Sequence, residues 1–372
     1  MRWILITSLF LSFVASAAPA SDPYNSYIWN RANAKAGRGQ VDRGDWYEWW
    51  YYKVVDPKTR EAFFFTYGVI NPWDHSRTLA GTKAVVQAGS FKQRVLVGAE
   101  FSVRDFSASY TQPAVQVGHN GATDRRLFGH VVENGHEMSW DLTLQKKWRF
   151  NAMGWATGVS EISGIYWYPA QASATMTGWI SYDGQVHKLV DAPAYQDRNW
   201  GRSFPKWWTW LTSNHFKGSP GTAFAAGGGE PKAFNSVYLF AGLCVGLKHK
   251  GKEYIFRTTD ADSVRFDIRW GVWNVVAENT RNQRIEISAY APPDQFMMLP
   301  FHSPRGPIFY DYEALLGKMT VKLFTRKNVF SAWRKIAVLT TNEAGIEWGT
   351  PEPLGSTAPF NFLGLFESAQ LN

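Results

Sequence analysis

The residues best suited to chemistry lie between Tyr195 and Phe216, in the stretch YQDRNWGRSFPKWWTWLTSNHF. Asp197 and Asn199 belong to a charged, Gly-containing segment, Asp197-Arg198-Asn199-Trp200-Gly201, that reads as a turn, and Phe204-Pro205 breaks the pattern after it. From Trp208 the spacing predicts a strand. Trp208, Trp210, Thr212, Asn214 and Phe216 would share one face, because side chains alternate with period two. Large aromatics and one amide on a common face describe the wall of an apolar pocket with a few placed polar groups. An acid beside such a wall can bind a greasy molecule and protonate it. A second acid lies upstream in Glu48-Trp49-Trp50-Tyr51-Tyr52, where Glu48, Trp50, Tyr52 and Val54 share a strand face. Burial among aromatics favours a neutral carboxyl, which makes a general acid near neutral pH. A Glu paired with an Arg at a domain seam explains the same residues equally well. Asp197 and Asn199 have a structural reading too, because short polar side chains in turns bond nearby backbone.

The elements that must position these groups are strands. Trp46–Val55 and Ala62–Val69 flank the turn Asp56-Pro57-Lys58-Thr59, and Thr177–Tyr182 and Gln185–Leu189 flank Asp183-Gly184, a two-residue hairpin signal. Short apolar runs separated by turn residues continue to Thr341, which predicts an all-β chain of sandwiches or barrels. The stretch from Gln145 to Met176 reads as an irregular excursion, and Asp311–Lys318 as a short helix. A domain boundary is expected around Asp191 to Ser203, since about 350 residues is long for one core.

Composition narrows the chemistry. Nineteen Trp, sixteen Tyr and twenty-five Phe exceed what a core requires and point to aromatic-lined cavities. The eight His form no His-Glu-x-x-His pair and no cluster with the one Cys, so no metal site is expected. There is no Gly-x-Ser-x-Gly elbow, phosphate loop or dinucleotide fingerprint, so no cofactor is expected either. Cys244 sits in an apolar run and reads as a buried, inert thiol. The net charge of +8 is interspersed, which argues against nucleic acid as a partner and is compatible with peripheral association at anionic membranes. Residues 1–20 carry Arg2, an apolar Ile4–Val14 and small-residue cleavage sites, the pattern of a signal peptide for a periplasmic or secreted protein.

The ordered series of motifs resembles the tocopherol cyclase family and its bacterial carotenoid-hydratase-like relatives. The matching pieces run from Glu48–Lys53 and FFFTYGVINP (63–72), through Thr177–Ile180 and Asp191-Ala192-Pro193, to Asn199-Trp200-Gly201 and Phe204-Pro205. Trp208, Trp210, Asn214, Phe216, Ala226–Gly229 and Ala277-Glu278-Asn279 complete it. The resemblance implies two tandem lipocalin-like antiparallel β-barrel or sandwich domains, 21–198 and 199–372 after a leader of 1–20. It implies a cofactor-independent reaction on a lipophilic small molecule such as a prenylquinol or carotenoid. In that chemistry an acid protonates a trisubstituted alkene and an oxygen adds to the tertiary cation. Asp197, which precedes the Asn-Trp-Gly motif, is the first expected acid and Glu48 the second. Trp50, Tyr52, Trp200, Trp208 and Trp210 are expected to face the cation, and Asn199 and Asn214 to orient the oxygen or the acid. Two positions depart from the plant pattern: Trp49 replaces a Gly, and Arg202-Ser203 replaces a Gly pair. Export also sets the chain apart from quinol cyclisation in plastid-type membranes. A lipocalin-like carrier and a glycan-binding module are the rival readings of the same aromatic surplus.

Overall fold

The computed structural model describes residues 22–74, 82–234, 237–238 and 241–354. The leader expected at 1–20 lies outside them. Eleven strands form the first sheet: β1 (Tyr47–Asp56), β2 (Glu61–Ile70), β3 (Lys83–Ser90), β4 (Val95–Phe101), β5 (Phe106–Ala108), β6 (Ala114–Val117), β7 (Asn120–Thr123), β8 (Arg126–Glu133), β9 (His136–Trp148), β10 (Ile165–Tyr182) and β11 (Gln185–Gly201). β12 (Trp208–Ser213) and β13 (Ala223–Gly229) open the second sheet, and β14 (Lys232–Ala233) and β15 (Val237–Tyr238) make a separate ribbon. The second sheet continues through β16 (Gly242–His249), β17 (Lys252–Arg257), β18 (Ser263–Arg269), β19 (Val272–Asn279), β20 (Gln283–Tyr290), β21 (Met297–His302), β22 (Ile308–Thr325) and β23 (Arg334–Thr350).

The spatial orders are β4-β3-β2-β1-β11-β10-β9-β8-β7-β6-β5 and β17-β16-β13-β12-β23-β22-β20-β19-β18, with β21 on β22. Each sheet curls until it nearly closes. β4 reaches β8, where Glu133 accepts the Gly98 amide at 2.7 Å, and β17 reaches β18 and β19. The fold is all-β, two tandem lipocalin-like barrels.

Local chemistry explains the turns. Asp56 accepts the Lys58 amide at 2.9 Å and the Thr59 hydroxyl at 2.8 Å, which closes the β1–β2 turn. Asp183 and Gly184 both take positive φ, 44° and 80°, as a two-residue hairpin between β10 and β11 requires. Three sequence expectations are corrected. Half of Gln145–Met176 is strand, the end of β9 and the start of β10, whose register shifts between Tyr168 and Gln171, Gln171 and Ala174, and Met176 and Gly178; residues 149–164 between them are irregular apart from a short 3-10 turn at Gly154–Gly158. Asp311–Lys318 lies inside β22 rather than in a helix, because β22 pairs along its length with β23. Asp197–Gly201 is not a turn but the end of β11, hydrogen-bonded between β1 and β10.

Four apolar clusters follow from this arrangement, one of them small, around Trp46, Tyr166, Tyr168 and Trp200. Trp50, Tyr52, Phe65 and Trp140 fill the first barrel, and Trp207, Leu211, Trp273 and Trp348 fill the second. Tyr47, Trp49, Tyr51 and Tyr195 of the first sheet meet Trp208, Trp210, Leu299 and Phe309 of the second in a third cluster at the seam. Every residue of β1 and of β12 is buried, because one face of each strand points into a barrel and the other into the seam.

Candidate active site

Strand register decides which side chains meet. In the β1–β11 pair Tyr51 opposes Asp197 and Trp49 opposes Asn199, while Trp167 of β10 opposes Asn199 from the other side. These residues share the seam face. On β12, Trp208 and Trp210 also point to the seam, opposite Gly349 and Glu347 of β23. A cavity of about 440 Å³ lies between the two walls, lined by Trp49, Tyr51, Trp167, Asp197, Asn199, Trp208, Trp210, Cys244, Phe301, Asp311 and Glu347 among others. It reaches the surface beside Trp155, which lines it and is 59 % exposed.

Asp197 is 4 % exposed. Its Oδ2 accepts two donors, the Trp167 indole at 2.8 Å and the Tyr195 hydroxyl at 2.9 Å, and Tyr195 in turn accepts the Trp210 indole at 3.0 Å. Oδ1 is buried with no protein partner. Burial pushes the carboxyl up to about 7, against the downward pull of its two donors. Near neutral pH a proton is therefore available on a carboxyl at the wall of an aromatic cavity. Across the cavity, Asp311 Oδ1 accepts the Trp208 indole at 3.0 Å and is also pushed up to about 7 by burial. Glu347 lies beside it, and burial followed by the charge of Asp311 drives its carboxyl well up. Glu313, opposite Glu347 in the β22–β23 ladder, accepts the Tyr51 hydroxyl. Cys244 faces the cavity rather than lying sealed in a core; burial pushes its thiol up to about 12, so it stays protonated.

The structure brings Asp197, Asn199, Trp208 and Trp210 of the expected residues to one cavity. It puts the others elsewhere. Glu48 is fully buried on the opposite face of β1, where its Oε1 meets Arg198 Nη2 at 2.8 Å and accepts the Ile28 amide at 2.7 Å. The Arg198 guanidinium lies 4.2 Å from the Trp50 ring centre and 5.4 Å from that of Trp200. Those two rings flank an ion pair and do not line the cavity. Tyr52 packs in the first barrel. Asn214 lies past the end of β12 and donates to the Ala174 carbonyl at 2.9 Å and the Ala194 carbonyl at 2.7 Å, tying the connection to the first sheet. For Glu48, Trp50, Tyr52 and Trp200 the cause is parity, whereas Asn214 shares the parity of Trp208 and Trp210 but lies beyond the strand. Once Asp197 is in a strand, residues one position away face the other side.

Sequence reading did not single out Trp167, Tyr195, Asp311, Glu313 or Glu347 as site residues. Tyr195 carried a usable signal, since it sits two residues from Asp197. So did Asp311 and Glu313, two acids at strand spacing in an apolar run, which the helix assignment concealed. Glu347 and Trp167 reach the cavity only through long-range pairing. Among the described residues no group of three or more His, Cys, Asp or Glu is arranged to hold a metal ion, and no helix is long and apolar enough to cross a membrane.

Comparison with known proteins agrees with this architecture. The chain is 25 % identical over 369 residues to a rice (Oryza sativa subsp. japonica) protein named probable tocopherol cyclase, chloroplastic, covering 82 % of this chain and 75 % of the rice protein. It is 24 % identical over 394 residues to the maize (Zea mays) tocopherol cyclase, chloroplastic, covering 91 % and 82 %. Among solved structures, that of CghA with Sch210972 superposes with a TM-score of 0.53 over 90 % of this chain and 95 % of the other; at 14 % identity this likeness concerns the fold alone. Residues 163–350 match the family described as tocopherol cyclase-like, and the chain belongs to that family.

Proposed function

We propose that this member of the tocopherol cyclase-like family is an acid-catalysed cyclase or hydratase acting on the prenyl double bond of an isoprenoid or quinol-type lipid. One observation carries the reading: the unpartnered Oδ1 of Asp197, buried at the wall of an aromatic cavity. In this mechanism Asp197 gives its proton to the alkene, and the faces of Trp49, Trp167, Trp208 and Trp210 stabilise the tertiary cation. Such ring–cation contacts contribute about 2 kcal/mol or more where water is excluded. An oxygen of the substrate or of water then adds. Asn199, on the same wall, orients the substrate. The names of the rice and maize relatives support cyclisation, with no statement of which lipid this chain takes.

The lipid must enter from a membrane or a carrier. The exposed Trp155 at the cavity mouth and the net charge of +8 support peripheral docking on an anionic bilayer. The basic-then-apolar pattern of residues 1–20 supports export, whereas the plant relatives are named as chloroplastic.

The test is Asp197→Asn assayed with a prenylated hydroquinone and with a carotenoid. We expect turnover to fall by about 10²–10⁴-fold, the range for loss of a general acid, with lipid binding retained. Undiminished turnover would remove Asp197 from the chemistry. Native mass spectrometry of the purified wild type separates enzyme from carrier: a lipid retained unchanged is the carrier's result.

A further inference from the structure

Asp311 and Glu347 line the second-sheet wall of the cavity from the paired strands β22 and β23, close enough that each carboxyl shifts the other. Two buried carboxyls this close do not readily both ionise, and one keeps a proton. Asp311 Oδ1 accepts the Trp208 indole, which favours its charged form, whereas burial and the charge of Asp311 drive Glu347 well up, so the pair holds its proton more readily on Glu347. Glu313 stands across the ladder from Glu347, and the Lys53 ammonium acts on Glu313; burial lowers Lys53 to about 8. One cation cannot neutralise several ionised acids here, and most of them must carry protons. The resulting cavity has an acid with an unpartnered, buried oxygen on one wall, Asp197, and a proton-sharing pair on the other. Asp197 and Asn199 come from β11, whereas Asp311 and Glu347 come from β22 and β23, so the two acid sites approach the substrate from different sheets.

We propose that Asp311, held by Trp208 and Glu347, is the base of the reaction, taking the proton from the oxygen that adds to the cation. The inference rests on the reading of Asp197 as the proton donor. It also defines the substrate class: a prenyl lipid whose hydroxyl, or a bound water, reaches the Asp311 end of the cavity. The proton count closes. The Asp197 O–H bond breaks as a C–H bond forms at the less substituted alkene carbon. The nucleophile's O–H bond then breaks as the new C–O bond forms, and its proton passes to the Asp311 carboxylate. The product is an isomer or a hydrate. The protein ends with one proton moved from Asp197 to Asp311, and exchange with solvent through the mouth beside Trp155 resets the pair.

The experiment uses the full protein and a prenylated hydroquinone in D₂O, with deuterium at the prenyl alkene position and C–O bond formation followed separately. Wild type is expected to form the ring with one deuterium incorporated. Asp311→Asn should lose ring closure by about 10²-fold or more while recovered substrate still gains deuterium, because Asp197 can deliver a deuteron to the alkene carbon and then take back the protium that carbon carried. Asp311→Glu should restore part of the lost closure. Asp311→Ser, smaller and still able to accept from Trp208, gives the same readout if the amide variant does not fold. A product labelled from H₂¹⁸O identifies water as the nucleophile, and an unlabelled ring identifies the substrate's hydroxyl; either supports the inference when Asp311→Asn abolishes it. Ring closure at the wild-type rate in folded Asp311→Asn or Asp311→Ser overturns it, with the Asp197 reading intact. Deuterium incorporation that survives in Asp197→Asn overturns the Asp197 reading instead.

Discussion

As the proposed proton donor, Asp197 would link the cavity's chemistry to pH. A group that must deliver a proton works only in its acid form, so with a carboxyl near 7 turnover should fall about tenfold per pH unit above that point. A pH–rate profile flat to pH 9 would contradict this. The same shift bears on stability. The folded-state value lies above the ordinary carboxylate value of 3.8, so the folded protein binds the proton more tightly than the unfolded chain. That contribution is present below about 3.8 and is lost as pH rises through about 7, at most about 4 kcal/mol. Denaturant titrations should therefore show wild type losing more stability than Asp197→Asn between pH 5 and 8. Glu48 behaves differently because its partner is a guanidinium inside the first barrel wall. Glu48→Gln leaves Arg198 buried without its counter-charge, and removal of one partner from such a pair costs about 3–5 kcal/mol. The expected result is a lower unfolding midpoint with undiminished turnover per folded molecule.

At the scale of elements, the cavity depends on glycines facing the indoles. A Cβ at Gly349 would lie 2.3 Å from the Trp208 ring, and one at Gly345 2.4 Å from the Trp210 ring. A Cβ at Gly227 would lie 2.9 Å from Trp167. Bare backbone at these positions lets each ring lie across the neighbouring strand. Gly349→Ala should displace the Trp208 indole from Asp311 and cost about 1–3 kcal/mol through overpacking. Thermal unfolding and tryptophan fluorescence check it, and an unchanged midpoint with an unchanged spectrum would show that Trp208 is not held this way. Strands were legible where both neighbours in the ladder are local, as in the Asp183-Gly184 hairpin. They were misread where polar residues point into a seam. Asp197-Arg198-Asn199 looks like a turn by composition, yet long-range pairing with β1 and β10 overrides that preference.

At the scale of the whole molecule, two barrels share one aromatic seam. We propose that the domains divide in the connection 202–207, between the last strand of the first sheet and the first strand of the second. Trp49 stands at the centre of this contact, with its ring centre 4.8 Å from Tyr47, 5.6 Å from Phe204 and 5.0 Å from Phe301. Tyr51 crosses to Glu313. A seam this apolar couples the stabilities of the two halves. Trp49→Ala should cost about 3–5 kcal/mol, and near- and far-ultraviolet circular dichroism should fall together at one lower midpoint. Separate transitions would show that the barrels unfold independently. The cavity would also widen where the plant pattern carries a glycine, so the variant should accept bulkier prenyl lipids.

By itself the sequence determined the all-β class, the hairpins with local turn chemistry, the aromatic surplus and the family resemblance. It also singled out Asp197, Asn199, Trp208 and Trp210, which lie within fourteen residues of one another. Local periodicity and turn stereochemistry are encoded over a few residues, so they can be read there. Only the tertiary structure decided that Glu48, Trp50, Tyr52 and Trp200 face away from the cavity, while Tyr195, Trp167, Asp311 and Glu347 complete the acid network around it. The reason is that a strand buried on both faces loses the polar–apolar alternation that would mark its inside. Parity is then set by pairing partners more than a hundred residues away.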